Sequence, residues 1–265
     1  MQNGGDPTRR ALFPAMTQLI LIPGLACNEA VWRAQLTGLS RWRPVVSDAH
    51  TRADTVDDMA ALLLREHPGP LVLCGASMGG MVAMAAARQA PERIAGLGLL
   101  GTDARADSPE MIALRTSAID LFAQGRAREV IEPNIAMAFH PENAAALAQD
   151  YLEIVLAAGA EQLIRQNRAV IARPDARVAL AQVRCPVLVM CGEADLLTPP
   201  KRSREIAALV PHARLEIVPR CGHMLTMERP EVVNTALADW LRTVFPAQAG
   251  TQGGGGSPGF PPSRE

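Results

Sequence analysis

The residues with the plainest chemical content are Gly75-Ala76-Ser77-Met78-Gly79. An apolar run, Leu71-Val72-Leu73-Cys74, precedes them, and a stretch rich in Ala and Met, Met78 to Ala90, follows. That pattern predicts a buried strand, a tight turn and a helix, with Ser77 at the turn. The flanking glycines belong to the same reading, because side chains beside so sharp a turn would clash. Such a turn presents a serine hydroxyl for nucleophilic attack. A hydroxyl is a poor nucleophile at neutral pH, so a base must take its proton, and a carboxylate must hold that base and stabilise its charged form.

Both partners have candidates downstream. Val187-Leu188-Val189-Met190-Cys191 reads as a strand and runs into Gly192-Glu193-Ala194-Asp195; Leu215-Glu216-Ile217-Val218 reads as another and runs into Pro219-Arg220-Cys221-Gly222-His223-Met224. Asp195 and His223 therefore each follow the C-terminal end of a strand, where open parallel sheets place their sites, and the chain order is nucleophile, acid, base. Competing groups exist. Glu193 lies two residues before Asp195 and suits a strand end or salt link, and Asp103 also follows a strand, Ile94 to Leu100. His50, His67, His140 and His212 sit in polar or Pro-flanked segments and read as solvated loop residues.

With these residues in view, the chain resembles the α/β-hydrolase superfamily over roughly residues 17 to 245. It is most similar to small bacterial cofactor-free esterases, a neighbourhood that includes enol-lactonases, pimeloyl-ester carboxylesterases and cofactor-free haloperoxidases. The matching motifs are G-x-x-D, Gly192 to Asp195, and G-H-x-x-x-x-E-x-P, which reads Gly222-His223-Met224-Leu225-Thr226-Met227-Glu228-Arg229-Pro230. The resemblance implies Ser77 as nucleophile, His223 as general base, Asp195 as its orienting acid, and no metal or organic cofactor. It also implies an oxyanion hole in the loop after Gln18-Leu19-Ile20-Leu21-Ile22. Where the family commonly has His-Gly, this chain has Pro23-Gly24. By position the donors are the backbone N–H groups of Leu25 and Met78, with Gly24 letting the loop turn without a Cβ.

The elements that must position these residues alternate. Strands are expected at about 18–22, 44–46, 71–74, 94–100, 187–191 and 214–218, and helices at about 28–39, 55–66, 78–90, 200–209 and 231–244. This is an α/β fold: a doubly wound, mostly parallel sheet with a reduced edge, since the N-terminus leaves little room for the two strands that often open such a sheet. Between Asp107 and Val183 the rhythm stops. Met111 to Gln124, Arg126 to Ala138, Glu142 to Ala158 and Glu161 to Ala172 read as helices, and the resemblance implies a helical cap there. The expected organisation is a flexible N-terminus over 1–15, a core of 16–107 and 183–246, a cap over 108–182, and a flexible Gly- and Pro-rich tail over 247–265, with Met16 as an alternative start. Apolar cap residues (Met111, Ile112, Leu121, Phe122, Ile135, Met137, Phe139) supply packing and an acyl pocket, with Met137, Phe139, Met224 and Gly24 expected against the substrate.

Composition agrees with an enzyme acting on small molecules. A chain of 265 residues with 48% hydrophobic content can bury a parallel sheet on both faces. Lys plus Arg (26) balance Asp plus Glu (27), which argues against a nucleic-acid footprint or a basic membrane face. No signal peptide or membrane span is legible. The five cysteines are odd in number, without metal-ligand spacing, and favour a reducing, cytoplasmic setting; Cys27 and Cys221 are expected near the site and reachable by thiol reagents. The reading that results is a serine hydrolase of a small or medium carboxylic ester or lactone. Perhydrolysis, C–C bond hydrolysis and acyl transfer use the same three residues, and a receptor retaining them as a ligand site is the reading from outside enzymology.

Overall fold

The computed structural model describes residues 17–245; the expectations about 1–15, Met16 and 247–265 lie outside them. The strands are β1 (Gln18–Ile22), β2 (Val45–Val46), β3 (Leu71–Ala76), β4 (Ile94–Leu100), β5 (Val187–Gly192) and β6 (Arg214–Val218). The helices are α1 (Arg33–Gly38), α2 (Val56–Glu66), α3 (Met78–Gln89), α4 (Pro109–Ala123), α5 (Ala127–Ala138), α6 (Pro141–Ala157), α7 (Gly159–Ala172), α8 (Arg177–Leu180), α9 (Pro200–Leu209), α10 (Leu225–Glu228) and α11 (Pro230–Val244). A single sheet runs in the order β2-β1-β3-β4-β5-β6, every pairing parallel. The two-residue β2 forms one edge among the described residues, in keeping with the reduced edge expected.

Alternation along the strands sorts the core into two layers. Ile20, Ile22, Leu71, Leu73, Val187 and Val189 face one side, with Met59 and Leu63 of α2 and Val82 and Ala86 of α3. Leu19, Leu21, Val72, Cys74, Leu188 and Met190 face the other, with Trp32 and with Leu237, Trp240 and Leu241 of α11. Because both faces are covered, β1, β3 and β5 read as near-continuous apolar runs rather than alternating ones. Helix starts follow local chemistry. Thr55 caps α2 by accepting from the Asp58 N–H, Ser108 caps α4 from the Met111 N–H, and prolines open α4, α6, α9 and α11.

Helices α4 to α7 form an insert between β4 and β5, in which α4 packs on α7 and α5 on α6. The helix expected over 28–39 is split: a 3-10 turn, Glu29–Trp32, precedes α1, and the Asn28 side chain accepts from the Ala30 N–H at its start. The short α8 and α10 have no counterpart in the sequence expectations; four residues carry too little periodicity to register.

Candidate active site

Ser77 sits between β3 and α3 with φ 53° and ψ −118°, a conformation that costs a non-glycine residue about 1–3 kcal/mol. Its neighbours hold it there. The Ser77 N–H donates to the Leu100 carbonyl at 2.8 Å, and its own carbonyl accepts from Thr102 Oγ1 at 2.8 Å and from the Gly80 N–H at 2.9 Å. The flanking glycines have a direct steric cause. A Cβ on Gly75 would lie 2.2 Å from the Gly79 carbonyl oxygen, and one on Gly79 would lie 2.1 Å from that of Ile22.

Asp195 and His223 meet at the ends of β5 and β6. The His223 ring donates from Nδ1 to Asp195 Oδ2 at 2.9 Å, and both side chains are buried. Asp195 Oδ1 accepts the N–H groups of Leu197 (2.9 Å) and Thr198 (2.8 Å), while Oδ2 also accepts Thr198 Oγ1 (2.8 Å). Burial is the largest single influence on this carboxyl and pushes its pKa up. The attraction and hydrogen bond of His223, with the Thr198 donors, outweigh it and leave the group below the ordinary 3.8. A carboxylate on Nδ1 fixes the tautomer that leaves Nε2 as a proton acceptor. Ser77 and His223 line one cavity of about 320 Å³. No hydrogen bond joins the Ser77 hydroxyl to the ring among the described residues; such contacts commonly tighten only when a substrate is bound.

The loop after β1 forms the facing wall, where Gly24, Leu25 and Met78 line the same cavity. Met78 is the first residue of α3, so its N–H has no intrahelical acceptor, and the Leu25 N–H donates to no protein group among the described residues. Both residues thus border the cavity that Ser77 lines.

Residues without a motif hold this loop. Gln166 of α7, fully buried, accepts the Ala26 N–H on Oε1 at 2.7 Å and donates from Nε2 to the His50 carbonyl at 2.9 Å. His50 in turn donates from Nε2 to the Cys27 carbonyl at 3.0 Å. His50 is therefore not the solvated residue expected from its polar neighbourhood: it is 1% exposed, and burial lowers its pKa. Glu228, the acid of the histidine motif, accepts the N–H of Gly222 (2.9 Å), the N–H of His140 (2.8 Å) and Asn143 Nδ2 (2.9 Å). It ties the histidine loop to the insert.

Other expectations divide. Met224 lines the cavity, but Met137 and Phe139 do not. Helical phase is the reason: Ile131, Asn134, Ile135 and Ala138 form the cavity-side stripe of α5, which leaves Met137 37% exposed on another face. The Phe139 ring is buried edge-on against Tyr151 at 5.4 Å. Asp103 is engaged by Arg202 at 3.1 Å and by the Arg105 N–H, and Glu193 accepts weakly from the Arg220 N–H at 3.4 Å. His140 caps α6, its ring accepting the Glu142 N–H at 3.2 Å. Cys27 and Cys221 are buried, not open to reagents as expected; burial pushes the Cys27 thiol up to about 12 and raises the Cys221 thiol as well. Among the described residues no group of three or more His, Cys, Asp and Glu is placed to hold a metal ion, and no helix is long and apolar enough to cross a membrane.

Comparison with known proteins identifies the family. The Alpha/beta hydrolase family matches residues 6–236, and the chain belongs to that family. A pimeloyl-[acyl-carrier protein] methyl ester esterase from Aromatoleum aromaticum is 30% identical over 252 residues, covering 84% of this chain and 98% of the relative. Its counterpart from Nitrosomonas europaea is 28% identical over 239 residues, covering 80% and 91%. Among solved structures, a thermophilic esterase from Thermogutta terrifontis with malate bound superposes with a TM-score of 0.79 at 27% identity, covering 88% of this chain and 92% of that one.

Proposed function

We propose that this alpha/beta hydrolase is a serine esterase that cleaves a small or medium carboxylic ester or lactone through an acyl-enzyme on Ser77. The observation that carries the proposal is the Asp195–His223 hydrogen bond at 2.9 Å on the cavity that also receives Ser77. The esterase relatives at 28–30% identity over most of the chain support the same substrate class.

His223 Nε2 takes the Ser77 proton as the hydroxyl attacks the ester carbonyl, and the Leu25 and Met78 amides hold the oxyanion. The imidazolium, stabilised by Asp195, then gives its proton to the leaving alcohol. A water, deprotonated by the same ring, attacks the acyl-enzyme, and the carboxylic acid leaves with Ser77 restored. In this scheme the strained turn fixes the direction of the hydroxyl, and the mostly apolar insert selects the acyl group.

Ser77→Ala on a chain-length series of p-nitrophenyl esters tests the scheme. The variant keeps the fold and loses turnover to near background on every ester. Undiminished turnover on the best substrate would eliminate the mechanism.

A further inference from the structure

Among the described residues that line the cavity, Arg115 of α4 is the one with a permanently charged side chain. Its surroundings are unusual for a wall made chiefly of aliphatic side chains. Arg115 Nε donates to Asp107 Oδ2 at 2.7 Å, and one terminal nitrogen donates to Asn167 Oδ1 at 2.8 Å. The same carboxylate is shared with Arg173, whose side chain is 5% exposed and which donates to Asp107 Oδ1 at 2.8 Å. Two guanidinium groups thus stand on one carboxylate, a net charge of +1 in a part-buried cluster. Among the described residues, Asp107 and Arg173 are the charged side chains in this cluster with Arg115.

Arg173 is saturated in a different way. Its remaining bonds go to the carbonyls of Val170 and Arg105, which point it into the protein. Arg115 has five N–H donors, of which the described residues take two. Its second terminal nitrogen has no protein acceptor among them, the side chain remains 23% exposed, and the residue lines the cavity. A planar fork with open donors, in excess positive charge and walled by apolar groups, is built to receive an anion.

We propose that Arg115 recognises a carboxylate at the far end of the acyl group, so that the preferred substrates are half-esters of dicarboxylic acids. A single negative charge cancels the +1 of the cluster, whereas a phosphate dianion would overshoot it; the aliphatic side chains that line the cavity together with Arg115 and Ser77 suit the methylenes that join the two ends. The inference rests on the esterase reading. Hydrolysis itself is unchanged: the half-ester and water give the dicarboxylic acid and the alcohol.

The test compares monomethyl esters of dicarboxylic acids across a range of chain lengths with methyl esters of the matching monocarboxylic acids, following proton release. At the best length the half-ester exceeds its neutral partner about tenfold or more in kcat/KM. Arg115→Met abolishes that preference and leaves the neutral ester turned over, since Asp107 keeps Arg173 as its partner. Should the variant not fold, the wild type still decides, because the free dicarboxylate then inhibits neutral-ester hydrolysis more strongly than the monocarboxylate of equal length. Equal or better use of the neutral ester at every length, or an Arg115→Met variant that lowers both series alike, would overturn the proposal. Loss of Ser77-dependent turnover on all esters would instead strike the esterase reading.

Discussion

The loops at the strand ends and the helical wall above them are held by different physics. Asp195 accepts from the Leu197 and Thr198 amides, the Thr198 hydroxyl and the His223 ring, with the Cys191 thiol a longer contact at 3.8 Å. The Ser77 backbone is fixed at both its N–H and its carbonyl. The wall formed by Phe122, Ile131, Ile135, Val155 and Val170 meets the cavity through shape and little else. Hydrogen bonds prescribe direction, which proton transfer and nucleophilic attack require; apolar contacts prescribe volume, which discriminates between acyl groups. Changes in the first region should therefore depress all substrates together, and changes in the second should alter their ratios.

The largest separation is expected at the acid. Asp195→Asn preserves the shape, favours the wrong histidine tautomer, and lowers kcat by up to about 10⁴, the loss known for the best-studied triad, on every ester. Asp103→Asn, which loses only the Arg202 ion pair and a loop contact, leaves kcat within a few-fold. Steady-state kinetics on one good ester suffices, and the opposite ranking would move the acid to the loop after β4.

Gln166 sharpens the comparison because it stands on the insert yet acts on the loop after β1. Gln166→Leu frees the Ala26 amide and should let the Leu25 donor drift. Removing one oxyanion donor outright costs about 10²–10³ in kcat, so partial displacement is expected to cost roughly tenfold, with KM and chain-length ratios unchanged. A selective loss on long acyl chains would instead assign Gln166 to the pocket.

The effect confined to substrate ratios, with no common loss of rate, belongs to the wall. Ile135→Phe shortens the cavity and should shift kcat/KM between short and long esters by about tenfold per carbon at the limiting length. Met137→Phe, on the exposed side of the same helix, serves as the control and leaves the ratios as they were. Uniform loss from Ile135→Phe would mean that the insert stabilises the fold without reading the substrate.

The same contrast explains what could be read from the chain alone. The strands Gln18–Ile22, Ile94–Leu100 and Arg214–Val218 coincide with the expected ranges, because apolar runs bounded by turn residues are local signals. Ser77, Asp195 and His223 are legible as candidates for a related reason: each follows the end of a strand in a short motif. Gln166 carried no such signal. It looks like any polar residue on an amphipathic helix, and its partner Ala26 lies 140 residues away. His50 misled in the same manner, since polar neighbours in sequence say nothing of a cavity closed by α7. Met137 and Phe139 failed on phase: choosing the right helix of the insert does not choose the right face of it.

One carbonyl blurs the division between chemistry and selection. The Ala138 oxygen, at the end of α5, accepts the N–H groups of both His223 (2.8 Å) and Met224 (3.2 Å), while Glu228 grips the His140 amide beside it. The backbone that carries the imidazole is thus partly woven from the insert. In evolutionary terms the insert is not freely exchangeable cargo. A transplanted set of helices must present an acceptor where Ala138 presents one, or the histidine arrives at the serine out of register. The α5–α6 junction therefore belongs with the strand ends it serves, and changes elsewhere in the insert keep the imidazole in place only if this backbone bond survives them.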